Sequence, residues 1–193
     1  MPNDGYKNLI SLRKGTQYVR RRLLRVVLLT GMLAQHLYSD AGGQKTFELE
    51  EPFQRPVPVP QRVVTILRSA LQNFDCGDGK TFADVSASWF TAADVRLNGS
   101  GLPALVVKAS QNGACLDGAN IGPFWVFEHR GYQYNMLLNE NALVLTVLDS
   151  FTNGYHDIQL NAALGGGRYV GYLKYEFRRG QYRLASRRTV RAN

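Results

Sequence analysis

Histidine and cysteine are scarce in this chain, and it has no long apolar run. The two cysteines have no nearby histidine partner among the three histidines of the 193 residues, so they are not expected to hold a metal, which takes four such side chains in a structural zinc site. No Gly-x-Ser-x-Gly elbow, His-Glu-x-x-His helix or phosphate loop is present. Gly165-Gly166-Gly167-Arg168 lacks the lysine and spacing of a phosphate loop and reads as a hairpin loop. His36 lies near the N-terminus, His129 just before an expected turn and His156 just after one. His156 and Asp157 are neighbours on an expected strand, so they face opposite sides and make a poor acid–base pair. The remaining nucleophilic pairing is Cys115 with His129. No catalytic residue and no cofactor are expected, and the chain does not read as an enzyme.

The net charge is +8, a value that raises nucleic acid as a partner. Its distribution argues against that reading. Residues 1–41 hold seven Lys/Arg against two Asp, whereas residues 42–193 hold 16 Lys/Arg against 13 Asp/Glu. The later cations cluster as Arg178, Arg179, Arg183, Arg187, Arg188 and Arg191. They read either as a solvated basic tail or as a docking patch for an acidic partner or polymer.

Residues 1–41 have the order of a secretory leader. Arg20-Arg21-Arg22 is the positive region, residues 23–34 are the apolar stretch, and Ser39-Asp40-Ala41 is a small-x-small cleavage site before Gly42. The apolar stretch falls short of the roughly 20 residues that cross a membrane, so no span is expected once the leader is removed. Residues 1–19 are an unusually long polar lead-in. The rival readings are an amphipathic N-terminal helix or an uncleaved anchor. In an oxidising compartment Cys76 and Cys115 suggest a disulfide; in a reducing one they remain free thiols.

Residues 42–60 carry Pro52, Pro56, Pro58 and Pro60 and read as a stiff extended linker. A helix is expected next. Val63, Val64, Leu67, Ala70, Leu71 and Phe74 fall on one face, with Gly77 and Gly79 ending it. From Trp89 onward the pattern changes to about eight strands separated by turn signals. The expected fold is mainly β (α+β), a helix packed on an antiparallel meander within a single domain over residues 61–188. Trp125, Phe127, Tyr134, Tyr175, Phe177 and Tyr182 are expected in cross-strand pairs and core.

Within that meander a pattern occurs twice, at about 89–138 and about 142–186. The turn Asn98-Gly99 is answered by Asn153-Gly154, and Phe127-Glu128-His129-Arg130-Gly131 by Tyr175-Glu176-Phe177-Arg178-Arg179-Gly180. Glu128 and Glu176 therefore read as equivalent repeat positions, not as a glycosidase pair.

Residues 89–186 resemble FG-GAP/VCBS-type repeats in small secreted bacterial proteins. The resemblance rests on Leu97-Asn98-Gly99-Ser100-Gly101-Leu102-Pro103-Ala104-Leu105-Val106-Val107, on Gly122-Pro123-Phe124-Trp125-Val126-Phe127 and on Thr152-Asn153-Gly154-Tyr155-His156-Asp157-Ile158. It implies two units like propeller blades. In that family the turn often reads Asp-x-Asn-x-Asp-Gly and can hold calcium. Here Arg96 and Ser100 stand where the first two acids would, and the later acid position is near Ala104. Calcium takes several hard oxygen ligands, so Asn98, Gly99, Asn153 and Gly154 are expected to be structural turn residues and no metal is expected. Asp117 and Asn120 are a vaguer calcium possibility.

The functional expectation is a secreted or periplasmic non-enzymatic binding module for an unknown protein or envelope component, with Tyr155 and Arg168 as candidate partner contacts. The alternatives are an inhibitor or accessory protein of a cell-envelope hydrolase, or an envelope enzyme whose site the sequence does not reveal.

Overall fold

The computed structural model describes residues 45–74, 76, 81–118 and 121–192. The expected leader, residues 1–41, and the helix-ending Gly77 and Gly79 lie outside them. Among the described residues there are ten strands, one α-helix and three short 3-10 segments. The strands and the α-helix are β1 (Thr46–Glu48), β2 (Pro56–Val57), α1 (Gln61–Ala70), β3 (Phe90–Arg96), β4 (Pro103–Ala109), β5 (Gly122–Arg130), β6 (Gln133–Ala142), β7 (Val144–Thr152), β8 (Tyr155–Leu164), β9 (Tyr169–Arg178) and β10 (Gln181–Arg191).

The strands form two antiparallel five-stranded sheets, ordered β1-β7-β8-β9-β10 and β2-β3-β4-β5-β6. Each is a four-stranded meander with one short strand from residues 46–57 added at its edge. Asn98-Gly99 and Asn153-Gly154 each lie at the first turn of a meander, and Gly131 and Gly180 each at the third. The eight strands expected from Trp89 onward all form, as β3 to β10.

The two sheets share one core. The β2–β6 sheet supplies Val95, Val106, Phe124 and Val126, and the β1–β10 sheet supplies Phe47, Leu145, Ile158, Leu160 and Tyr175. The other face of the β2–β6 sheet is covered too. There Val63 and Leu67 of α1, with Trp89 and Leu116 from short 3-10 segments, pack on Phe90, Leu105, Val107, Trp125 and Phe127. Burial on both faces explains why β4 and β5 read as continuous apolar runs without alternation. Among the described residues nothing comparable covers the outer face of the β1–β10 sheet, and its strands keep the alternation of half-buried strands.

The expected linker, residues 42–60, is corrected over its described part. Phe47 is fully buried against Phe53, with ring centroids 5.5 Å apart, and β1 pairs with β7 while β2 pairs with β3. Pro56 is tolerated because β2 is an edge strand, where a missing N–H breaks no ladder. Between β1 and β2 the chain is tied down by Lys108. Its buried ammonium donates to the carbonyls of Glu48, Leu49 and Glu51 at 2.6, 2.7 and 2.5 Å. It also lies 4.9 Å from the Phe53 ring centroid. Burial pushes the Lys108 pKa down, and the carboxylates of Asp117, Glu51 and Glu48 push it back up.

The helix is shorter than its apolar pattern. It stops at Ala70, and Phe74 turns outward while its N–H bonds the Leu71 carbonyl at 2.8 Å. The Cys76–Cys115 disulfide, with Cα atoms 5.3 Å apart, holds the following chain to the 3-10 segment Gln111–Leu116. Arg68 donates to the Val85 carbonyl at 2.6 Å and fixes the helix to the segment that follows it. Among the described residues no helix is long and apolar enough to cross a membrane.

If residues 46–57 belong to the fold, Phe47→Ala lowers the unfolding free energy by about 3 kcal/mol or more. Urea denaturation measures this; a change within about 0.5 kcal/mol would restore the linker reading.

Candidate functional site

Two turns expected to be separate features meet in the structure. The β3–β4 turn lies against the β7–β8 turn, and Asn98 forms an isolated antiparallel bridge with Tyr155. The His156 N–H donates to the Leu97 carbonyl at 2.6 Å, and the Gly99 N–H to the Gly154 carbonyl at 3.4 Å. Asn98 shapes its own turn: its Oδ1 accepts from the Ser100 hydroxyl at 2.7 Å and the Leu102 N–H at 3.2 Å. Gly101, at φ 71°, carries the left-handed step of this turn, and Gly99 does not. At the other turn Asn153 and Gly154 both have positive φ, 52° and 81°, as a type I′ hairpin requires.

Where the turns meet, a charged group is sealed inside. Glu128, near the end of β5, is 1% exposed. Its Oε1 accepts from Asn98 Nδ2 at 2.8 Å and from the Tyr155 hydroxyl at 2.5 Å. Its Oε2 accepts from Arg130 Nε, and the same guanidinium donates to the Tyr155 oxygen at 2.8 Å. Arg130 sits two residues along the strand from Glu128, hence on the same face. Burial, then the Glu128 contact, pushes the Tyr155 pKa up, while Arg130 opposes. The Tyr155 ring stacks on Phe177 with centroids 3.7 Å apart. Tyr155, expected as a partner contact, is thus an interior residue that joins the sheets. The equivalent Glu176 is on the outer face, where it pairs with Arg178 at 2.6 Å and Lys174 at 3.4 Å.

A second buried carboxylate, Asp157, accepts from the Ser150 hydroxyl at 2.6 Å and pairs with Lys174 at 2.9 Å. Burial pushes its pKa up, but hydrogen bonds from Ser150, Lys174 and Thr152 outweigh burial and hold it below the usual carboxylate range. His156 takes no part: its Nδ1 lies 2.6 Å from the Leu148 carbonyl and its ring is tilted on Phe151. His129 stacks on Tyr134, and the sulfur of Cys115 is bonded to Cys76, which removes the thiol–imidazole pairing.

Candidate metal positions are also engaged. Asn98 uses both side-chain atoms internally. Asp117 has one buried oxygen without a hydrogen-bond partner, but its carboxyl already feels the positive charge of Lys108, which disfavours a cation there. Asn120 lies outside the described residues. Among the described residues no group of three His, Cys, Asp or Glu is placed to hold a metal. The apolar crevice between Leu71, Phe74, Cys76 and Trp89 is too tight for a water molecule.

What remains open is the β9–β10 hairpin. The clustered arginines all fall on it or its turn, together with Lys174, against one carboxylate, Glu176. On β10 only Tyr182 is buried. Arg188 lies over the Tyr172 ring, 5.0 Å from its centroid. Among the described residues Arg183, Arg187, Arg188 and Arg191 form no ion pair. Arg168 is exposed in the β8–β9 turn, donating to the Gly165 carbonyl at 3.0 Å, and three consecutive glycines at φ 59°, 67° and 84° shape that turn. The sequence showed the arginine cluster; the association of Glu128 with Asn98 and Tyr155 had no local signal.

Comparison of the chain with protein-family models, curated proteins and solved structures finds no match.

Asp157 supplies a pH test. Its folded-state pKa is depressed, so its stabilisation is present above the ordinary value of 3.8 and lost as pH falls through the folded value. Asp157→Asn therefore lowers stability by about 1–3 kcal/mol at neutral pH, and the deficit shrinks on acidification. Urea unfolding at neutral pH and near pH 3 reads both arms; a pH-independent deficit contradicts the assignment.

Proposed function

We propose that this chain is a secreted or periplasmic, non-enzymatic interaction module that docks a protein or envelope component bearing acidic groups. The observation that carries the reading is the cationic β10 strand, whose Arg183, Arg187, Arg188 and Arg191 form no ion pair among the described residues. Glu128, Asp157, His156 and Cys115, whose side chains could in principle do acid–base or nucleophilic chemistry, each serve an internal contact. Partner binding through Arg168, on the turn leading into β9, belongs to the same proposal, and Tyr155 enters it only by supporting the fold.

The compartment is proposed from the leader pattern of residues 1–41 and the Cys76–Cys115 disulfide, which fits an oxidising environment. The FG-GAP/VCBS-type relationship and a two-blade repeat are part of the proposal as well. Their support is the turn motifs and the matching turn positions in the two meanders, with no calcium assigned. No nucleic acid partner is proposed, since outside the hairpin residues 42–193 carry more Asp/Glu than Lys/Arg.

Intact mass without reductant, on chain expressed with its own leader, tests the compartment. The expected species begins near Gly42 and is about two mass units lighter than its reduced form. A full-length species with free thiols contradicts secretion. For docking, Arg183→Glu with Arg188→Glu is expected to abolish retention on an acidic matrix that wild type binds at low salt. Unchanged retention contradicts the reading.

A further inference from the structure

Among the described residues the β10 strand pairs on one side only. It ends the sheet order β1-β7-β8-β9-β10 and runs for 11 residues. The Ala192 N–H bonds the Arg168 carbonyl at 2.9 Å, which fixes the phase of the ladder. Antiparallel pairs alternate, so Ser186, Arg188 and Val190 turn their backbone groups to β9, and Arg187, Thr189 and Arg191 turn theirs to the open edge. A long open edge is a template for another strand, and charge usually blunts it. Here the charge is of one sign. Arg187 and Arg191 flank the edge on one side and Arg188 on the other, since directly opposed residues share a face.

That charge selects the occupant. Two β10 edges paired together bring arginine against arginine, which disfavours a second copy of this chain. The N-terminal 41 residues, with seven Lys/Arg and two Asp, have the wrong sign too. An extended segment carrying Asp or Glu at alternate positions satisfies both the backbone groups and the guanidinium groups. We propose that the free edge of β10 takes up an extended acidic segment of a partner protein as an added strand of this sheet. The inference rests on the docking reading above and gives its partner class and geometry.

The test uses the full chain and a fluorescein-labelled peptide of about twelve residues alternating Glu with Val, followed by anisotropy at about 50 mM salt. A second peptide of the same charge is N-methylated at alternate residues, so its backbone cannot join the ladder. Binding is expected to weaken about tenfold or more with the methylated peptide, and likewise with Arg187→Glu plus Arg191→Glu. Thr189→Pro, which removes an outward N–H and leaves the β9 ladder intact, is expected to weaken it similarly, with a thermal melt confirming folding. Hydrogen exchange at Arg187, Thr189 and Arg191 slows on binding the unmethylated peptide. Equal binding of both peptides overturns strand addition and leaves docking by charge. Equal binding of an anionic polysaccharide or of anionic vesicles, unaffected by Thr189→Pro, likewise overturns it in favour of a polymer or membrane surface. Failure to bind any acidic material overturns both this inference and the docking reading.

Discussion

The Glu128 carboxylate is buried, and everything around it is arranged to keep it satisfied. A buried charge stripped of its partners costs several kcal/mol, so its donors are structural requirements. They arrive from different elements: Asn98 from the β3–β4 turn, Arg130 from the end of β5 and Tyr155 from the start of β8. Bringing them together needs Asn98 to bend its own turn and Asn153-Gly154 to make a tight hairpin. It also needs the Tyr155 ring to enter the core, where it stacks on Phe177 and Phe177 meets Tyr182 edge-on. The Tyr182 hydroxyl closes the group on the His156 carbonyl at 2.7 Å. Lys108 plays the opposite-sign role elsewhere, collecting three carbonyls of the segment that crosses between the sheets. Each buried charge ties together pieces that hydrophobic contact alone would leave free to slide.

This use of polar groups decides where function is sought. The β2–β6 sheet is covered on both faces, and its interior ionisable groups are paired within the fold. Among the described residues the outer face of the β1–β10 sheet and its long β10 edge are uncovered. Cations without carboxylate partners gather on that edge. Tyr175 shows how its core side is sealed: burial, then the Glu140 carboxylate, pushes its pKa up to about 12, so it stays neutral through the ordinary pH range.

Much of this fold was legible in the sequence because the eight meander strands announce themselves by alternation or, in β4 and β5, by continuous apolar runs, and by Asn-Gly, Arg-Gly and Gly-rich turns. The strands β1 and β2 did not, being three and two residues long and paired with partners about 100 and 36 positions away. Too few residues exist there for periodicity, and the prolines imitate a linker. The helix end was misread because Leu71 and Phe74 continue the apolar spacing after the backbone has turned. The fate of Glu128 was invisible for a similar reason. Its motif matches that of Glu176, yet one is fully buried and the other half-buried on the outer face, and the difference comes from contacts 27 and 30 residues away. The arginine cluster was legible as charge, but that it borders an unpaired edge is a property of strand order.

The central claim, that Glu128 and Tyr155 act together as a structural joint, is tested most directly by a double-mutant cycle. Unfolding free energies are measured in urea for wild type, Glu128→Gln, Tyr155→Phe and the pair. The account predicts that each single change destabilises and that the two are coupled by about 1–3 kcal/mol. Additivity within about 0.5 kcal/mol, with stability nearly unchanged in both single variants, would contradict it and return the cluster to candidacy as a functional centre.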